Sequence, residues 1–154
     1  MHIQLTPIAY VKNARTQIED DDWSTVSSEI ILADEIISEA LIGIEAFSHL
    51  QIIFYMDQVT DAKAIAQFRH PRNNSDLPKL GTYAQRNKNR PNKLGLTTVE
   101  LIEKQERSLI VNKLDAIDGT PILDIKPVMR IFQPQGEIRE PDWLVDLLKN
   151  YWIK

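Results

Sequence analysis

Between Gln85 and Gly95 the chain reads QRNKNRPNKLG, in which four cations (Arg86, Lys88, Arg90, Lys93) alternate with three asparagines and Pro91 and Gly95 constrain the backbone. Guanidinium forks suit carboxylate or phosphate, and asparagine amides offer both a donor and an acceptor to a polar ligand. A solvated basic loop has the same composition. A second stretch, Leu114 to Pro127, spaces Asp115, Asp118 and Asp124 through a β-turn-β pattern around Asp118-Gly119-Thr120-Pro121. Here Asp118 is either a turn residue or a site carboxylate, and Asp124 either a partner for Lys126 or part of the same site. Other chemistries lack their residues. His2, His49 and His70 are far apart, with no HxH or HExxH spacing, so no metal site is expected. His49, beside Ser48, reads as a hydrogen-bonded structural histidine. There is no cysteine and no GxSxG elbow, and the five glycines never form GxG, so thiol, serine-elbow and Rossmann chemistry all lack support.

The 154 residues carry 18 Lys plus Arg against 22 Asp plus Glu, a net charge of −4, with 43% apolar residues. That is the composition of one globular domain, residues 1–154, long enough to form a core without disulfide or metal staples. The N-terminus lacks the basic start and apolar run of a signal peptide, and the apolar stretches are short, so a cytoplasmic protein with no membrane span is expected. The charge is segregated. Glu19 through Glu45 holds nine acidic residues and no cation, whereas Arg69 through Lys93 holds seven cations and one acid. The second segment is net +6, leaving −10 for the rest of the chain. An acidic average therefore conceals a basic face suited to docking a folded nucleic acid.

The elements that must position these residues are mostly strands. Ile3 to Val11, Ser28 to Leu32, Leu50 to Tyr55, Leu96 to Ile102, Ser108 to Leu114 and Ile122 to Ile125 alternate or are rich in β-branched residues. Thr97–Lys104 and Ser108–Lys113, joined by Gln105 to Arg107, suit an antiparallel hairpin. Ile36 to Phe47 and Pro141 to Tyr151 read as helical, the second with Trp143, Leu144, Leu147, Leu148 and Tyr151 on one face. Many strands and few helices predict a mainly β protein, a small antiparallel barrel or sandwich. The polar, asparagine-rich stretch from Phe68 to Leu94 reads as one long functional loop.

Five blocks in order, Pro7 to Val11, Gly43 to Leu50, His70-Pro71-Arg72, Arg90-Pro91-Asn92 with Gly95-Leu96, and Asp118 to Pro127, resemble the TsaA-like family of TrmO-type tRNA methyltransferases. The resemblance runs from about Ile3 to Val128. It implies a compact single-sheet β-barrel, a homodimer, that binds S-adenosylmethionine and methylates N6 of threonylcarbamoyladenosine beside the anticodon. Carried over by position, the cofactor contacts fall on Asp57, Gln58, Arg86, Leu96, Ala116, Ile117, Asp118 and Gly119, with Asp118 or Asp57 as the proton acceptor. Arg69, Arg72, Lys88, Arg90 and Asn92 then face tRNA phosphates. The chain departs from the family pattern in three places. Family members commonly have histidine where Asp57 stands and Ser-Pro or Ser-Thr where Asn87-Lys88 stands. They also carry a cofactor-binding Pro-Arg-Gln near residue 23, where this chain has Asp20-Asp21-Asp22-Trp23. Trp23 either stacks on adenine or belongs to the core. A small-molecule methyltransferase and a non-catalytic cofactor-binding regulatory module are the competing readings. The stretch 133–154 lies beyond the matched blocks as a helical extension, packed on the barrel or on a partner subunit.

Overall fold

Alternation of apolar and polar residues builds the sheet. In a computed structural model, which describes residues 1–152, the strands are β1 (Ala9–Lys12), β2 (Ser27–Leu32), β3 (His49–Tyr55), β4 (Phe68–Arg69), β5 (Leu80–Gly81), β6 (Leu94–Lys104), β7 (Ser108–Asn112) and β8 (Pro121–Pro127). Six of them close into an antiparallel barrel in the order β1-β2-β7-β6-β3-β8, and β4 and β5 form a separate two-stranded ribbon. Every second residue of β2 and β3 points inward, so that Ile30, Leu32, Leu50, Ile52 and Phe54 meet Val99, Leu109, Val111, Leu114 and Ile122 in one core. The expected hairpin is present: β6 runs into β7 through Gln105 to Arg107, with a register shift between Leu101 and Glu103.

Three expectations change. The N-terminal strand is short, beginning at Ala9 instead of Ile3. Ile36 to Phe47 is not one helix but two 3-10 turns, Ser38–Leu41 and Ile44–Ala46, separated by Gly43 at φ 85°. A left-handed glycine ends the right-handed repeat there. The segment from Phe68 to Leu94 is not one loop, because Phe68 pairs with Gly81 and Arg69 with Leu80. The C-terminal extension contains one short helix, α1 (Trp143–Leu148); Ile153 and Lys154, its last two residues, lie outside the described region. Among the described residues no helix is long and apolar enough to cross a membrane.

One close approach shapes the end of the barrel that carries the basic segment. Phe54 on β3 sits opposite Gly95 on β6, and the β3–β8 register shifts between Ile53 and Phe54. A Cβ on Gly95 would lie 2.2 Å from the buried Phe54 ring. Gly95→Ala is therefore expected to push that ring out of place and to cost ~1–3 kcal/mol in chemical denaturation. A variant as stable as the parent would show that the ring has somewhere else to go.

Candidate functional site

The end of β3, the start of β6 and the Asp115 to Ile117 connection between β7 and β8 form the floor of a cleft of about 1120 Å³. Its apolar wall is built by Phe54, Val59, Leu94, Leu96, Ala116 and Ile117, and its polar wall by the Gln85 to Asn92 segment. Both walls follow from local sequence. Strand ends present alternate side chains to the opening, whereas the Pro-bearing segment folds as turns, with Lys93 at φ 52° bringing the chain back into β6.

Arg86 donates from Nη2 to the Leu96 carbonyl, which fixes the guanidinium over the start of β6. The fork has five N–H donors, so this bond leaves others for a ligand. Next to it, Asn87 Oδ1 is buried with no hydrogen-bond partner, and Asn89 Oδ1 is in the same condition. A buried acceptor left unpaired costs about 1–3 kcal/mol, and a ligand donor reaching Asn87 would recover it. Asp115 is already engaged: Thr97 Oγ1 donates to its Oδ1 and Tyr151 Oη to its Oδ2. Burial, then the Asp115 carboxylate, push the Tyr151 phenol well above its ordinary value near 10. The raised value favours the folded state fully below pH ~10, and that contribution falls as pH rises above it. Of the four tyrosines, Tyr151 is accordingly expected to ionise last in an absorbance titration, and Tyr151→Phe to remove that late step.

Tyr151 belongs to the C-terminal extension, which forms part of the lining of the cleft. Trp143, Leu144, Leu147, Leu148, Tyr151 and Trp152 line it, and Tyr151 packs edge-on against Trp152 at 5.0 Å between ring centroids. The backbone amides of Asp22 and Trp23 donate to the carbonyls of Asn150 (3.1 Å) and Tyr151 (3.0 Å). The extension is thus tied to the acidic segment. That segment reaches the basic one in turn: Arg72 makes a two-pronged contact with Asp21 at 2.7 and 3.0 Å, and Lys88 lies 3.4 Å from Asp20. Trp23 is 4% exposed and lines the cleft with the Arg15 guanidinium 3.8 Å above its ring, so the face toward Arg15 is taken.

Of the residues the sequence pointed to, Asp57, Gln58, Arg69, Arg72, Arg86, Lys88, Arg90, Asn92, Leu96, Ala116 and Ile117 line this one cleft. Asp118 and Gly119 do not. The Asp118 carboxylate accepts from the Asn13 amide at 3.0 Å and its own amide donates to the Arg15 carbonyl at 2.8 Å. Asp118 thus holds the start of the segment that leads to Trp23. Asp124 likewise pairs with Lys126 at 2.6 Å, and Ser48 Oγ lies 2.8 Å from His49 Nδ1. Among the described residues no three His, Asp or Glu side chains converge as a metal site would need.

The fold has solved counterparts. Structures of TrmO, one of them from Pseudomonas aeruginosa, superpose with TM-scores of 0.73 and 0.70 at 25% identity, over 91% and 90% of this chain and 64% and 62% of theirs. Residues 9–133 match the family described as tRNA-methyltransferase O N-terminal domain. The chain belongs to this family. An S-adenosyl-L-methionine-binding protein of Archaeoglobus fulgidus is 33% identical over 79% of this chain and 86% of its own length. The Escherichia coli tRNA (adenine(37)-N6)-methyltransferase is 38% identical over 60% of this chain, and the human one 33% over 66%. This chain spans only 40% and 23% of those two proteins. The family match ends at residue 133, before the part of the extension that lines the cleft. Asp115 stands in the sequence among three spaced carboxylates and Tyr151 on one face of the C-terminal helix, but nothing there shows that the two meet.

Proposed function

We propose that the chain is an S-adenosylmethionine-dependent methyltransferase acting on tRNA, at N6 of threonylcarbamoyladenosine beside the anticodon. One observation carries the reading: six of the eight positions carried over for the cofactor and the cations assigned to tRNA share a single cleft, large enough for a cofactor and part of an acceptor. The names of the bacterial and mammalian relatives support the acceptor, and those of the archaeal relatives the cofactor.

The residues present suit that cofactor. Arg86 would hold its carboxylate, the unpaired Asn87 Oδ1 would accept from its ammonium, and the wall of Leu96, Ala116 and Ile117 would take the adenine. When bound, it supplies a methyl group on a cationic sulfur, an electrophile that requires no covalent enzyme intermediate. The remaining tasks fall to the chain. The apolar wall and the C-terminal extension exclude water, and Arg69 and Arg90 orient the acceptor strand by its phosphates. Asp57, exposed at the cleft, is the carboxylate placed to take the proton that an N6 amine must release. The protein acts in the cytoplasm, where its substrate is, as a homodimer; light scattering reads the second point directly.

The deciding experiment is transfer of a tritiated methyl group to bulk tRNA, followed by nucleoside analysis. Label in an N6-methylated threonylcarbamoyladenosine is the expected result. Tight cofactor binding with no transfer to any tRNA would overturn it in favour of a binding module, and transfer to a metabolite alone in favour of a small-molecule enzyme.

A further inference from the structure

Tyr83 is the aromatic ring on the cleft wall that the protein leaves uncovered. It is 76% exposed, yet it lines the same cleft as Arg69, Arg86 and Arg90. The other rings there are more enclosed: Phe54 is buried against Gly95, Trp23 lies beneath Arg15, Tyr151 is bound to Asp115 and packs on Trp152, and Trp143 is half-buried. The exposure is not that of a slack loop. Tyr83 is the middle residue of a 3-10 turn, Thr82–Ala84, whose first residue is buried and bonded on several sides. The Thr82 amide donates to the Gln67 carbonyl at 2.9 Å, and the Gln67 amide donates to Thr82 Oγ1 at 2.7 Å. On the other side, Gln85 Nε2 donates to the carbonyls of Leu80 (2.8 Å) and Arg69 (3.2 Å). A large ring is thus held outward on a pinned turn. Among the described residues Arg69 and Arg90, the cations left for phosphate once Arg86 takes the cofactor carboxylate, form no ion pair, so two positive charges of the same cleft lack a counter-charge in direct contact. A second exposed aromatic, Phe68, stands on the same ribbon opposite Gly81.

A flat apolar face beside unpaired guanidinium groups fits a ligand with a π-face and a phosphate backbone. We propose that Tyr83 is a stacking platform for an unpaired nucleobase of the RNA substrate, next to the nucleotide that enters the cleft. The proposal rests on the RNA-directed reading above and adds what that reading lacks, a residue that selects for single-stranded structure. Bases inside a helix have both faces covered by their neighbours, so an exposed ring gains only from a base that is already splayed out. Every base has such a face, so Tyr83 selects loop over duplex without choosing sequence.

The test measures binding of wild type, Tyr83→Ala, Tyr83→Phe and Tyr83→Trp to a stem–loop RNA and to a duplex of the same stem, across a salt series. The tryptophans lining the cleft report S-adenosylmethionine binding by their fluorescence and show whether each variant is folded. Tyr83→Ala is expected to lose about tenfold in stem–loop affinity with an unchanged salt slope, while duplex affinity and cofactor binding stay as in wild type. The Phe and Trp variants are expected to retain wild-type affinity. Stem–loop affinity unchanged in Tyr83→Ala, or an equal loss on duplex, would overturn the platform and leave the RNA reading standing. A wild-type protein that binds the cofactor and neither RNA would overturn both.

Discussion

Replacing Arg86 by alanine is expected to lower S-adenosylmethionine affinity by ~10- to 100-fold in calorimetry, the loss of one or two charge-assisted hydrogen bonds. The side chain is exposed apart from its bond to the Leu96 carbonyl, so the melting temperature should hardly move. Arg86→Lys keeps the charge and loses the fork, and should fall between the two. The result depends on the local geometry described above. Arg86 is anchored at the start of β6, adjacent in the chain to Asn87, whose Oδ1 is buried and unpaired. Equal affinity in all three proteins would mean that the cofactor carboxylate is held elsewhere, and the assignment of Arg86 would fail.

The double variant Asp20→Asn, Asp21→Asn should bind RNA more tightly than the parent, about tenfold or more near 0.1 M salt. These two carboxylates occupy Lys88 and, through a fork, Arg72. A phosphate must displace them before it can use either cation. Removing the competitors frees two cations, so the slope of log affinity against log salt should steepen by ~1.4 for single-stranded RNA. Stability should change little, because partly exposed ion pairs contribute ~1 kcal/mol or less. An unaltered slope would show that Arg72 and Lys88 lie outside the RNA interface. The pairing also gives Asp20 and Asp21, the middle of the acidic run from Glu19 to Asp22, a role. Where the family resemblance leads one to expect a Pro-Arg-Gln element, this chain carries Asp20 and Asp21 as counter-charges to its own basic segment.

How much of this the sequence shows varies with range. The barrel strands are legible because inward and outward positions alternate along each, as in Ser28 to Leu32 and His49 to Tyr55. Two-residue strands such as β4 and β5 have no period to detect, so the ribbon that carries Arg69 and precedes Tyr83 reads as loop. Gly43 breaks the helical stretch before β3 by its backbone conformation, which is visible as a glycine but not as a positive φ. At the cleft, Arg86, Leu96, Ala116 and Ile117 are reached by position from the family resemblance, and they line it. Contacts between residues far apart in the chain are not legible: Asp21 meets Arg72 across 51 positions, and Tyr151 meets Asp115 across 36. No pattern within either segment indicates which distant partner it will meet. Asp118 belongs with them: its turn signature is plain, but its carboxylate meets Asn13, 105 positions away.

The closed ring of six strands has a consequence for assembly. An open sheet can recruit a second copy by adding strands at its margin, but in this barrel every strand already has a neighbour on both sides. Two copies can therefore join only through side-chain surfaces, or through the free margins of the β4–β5 ribbon. That ribbon immediately precedes Tyr83, so an association of the second kind would bring a neighbouring molecule to the mouth of the cleft.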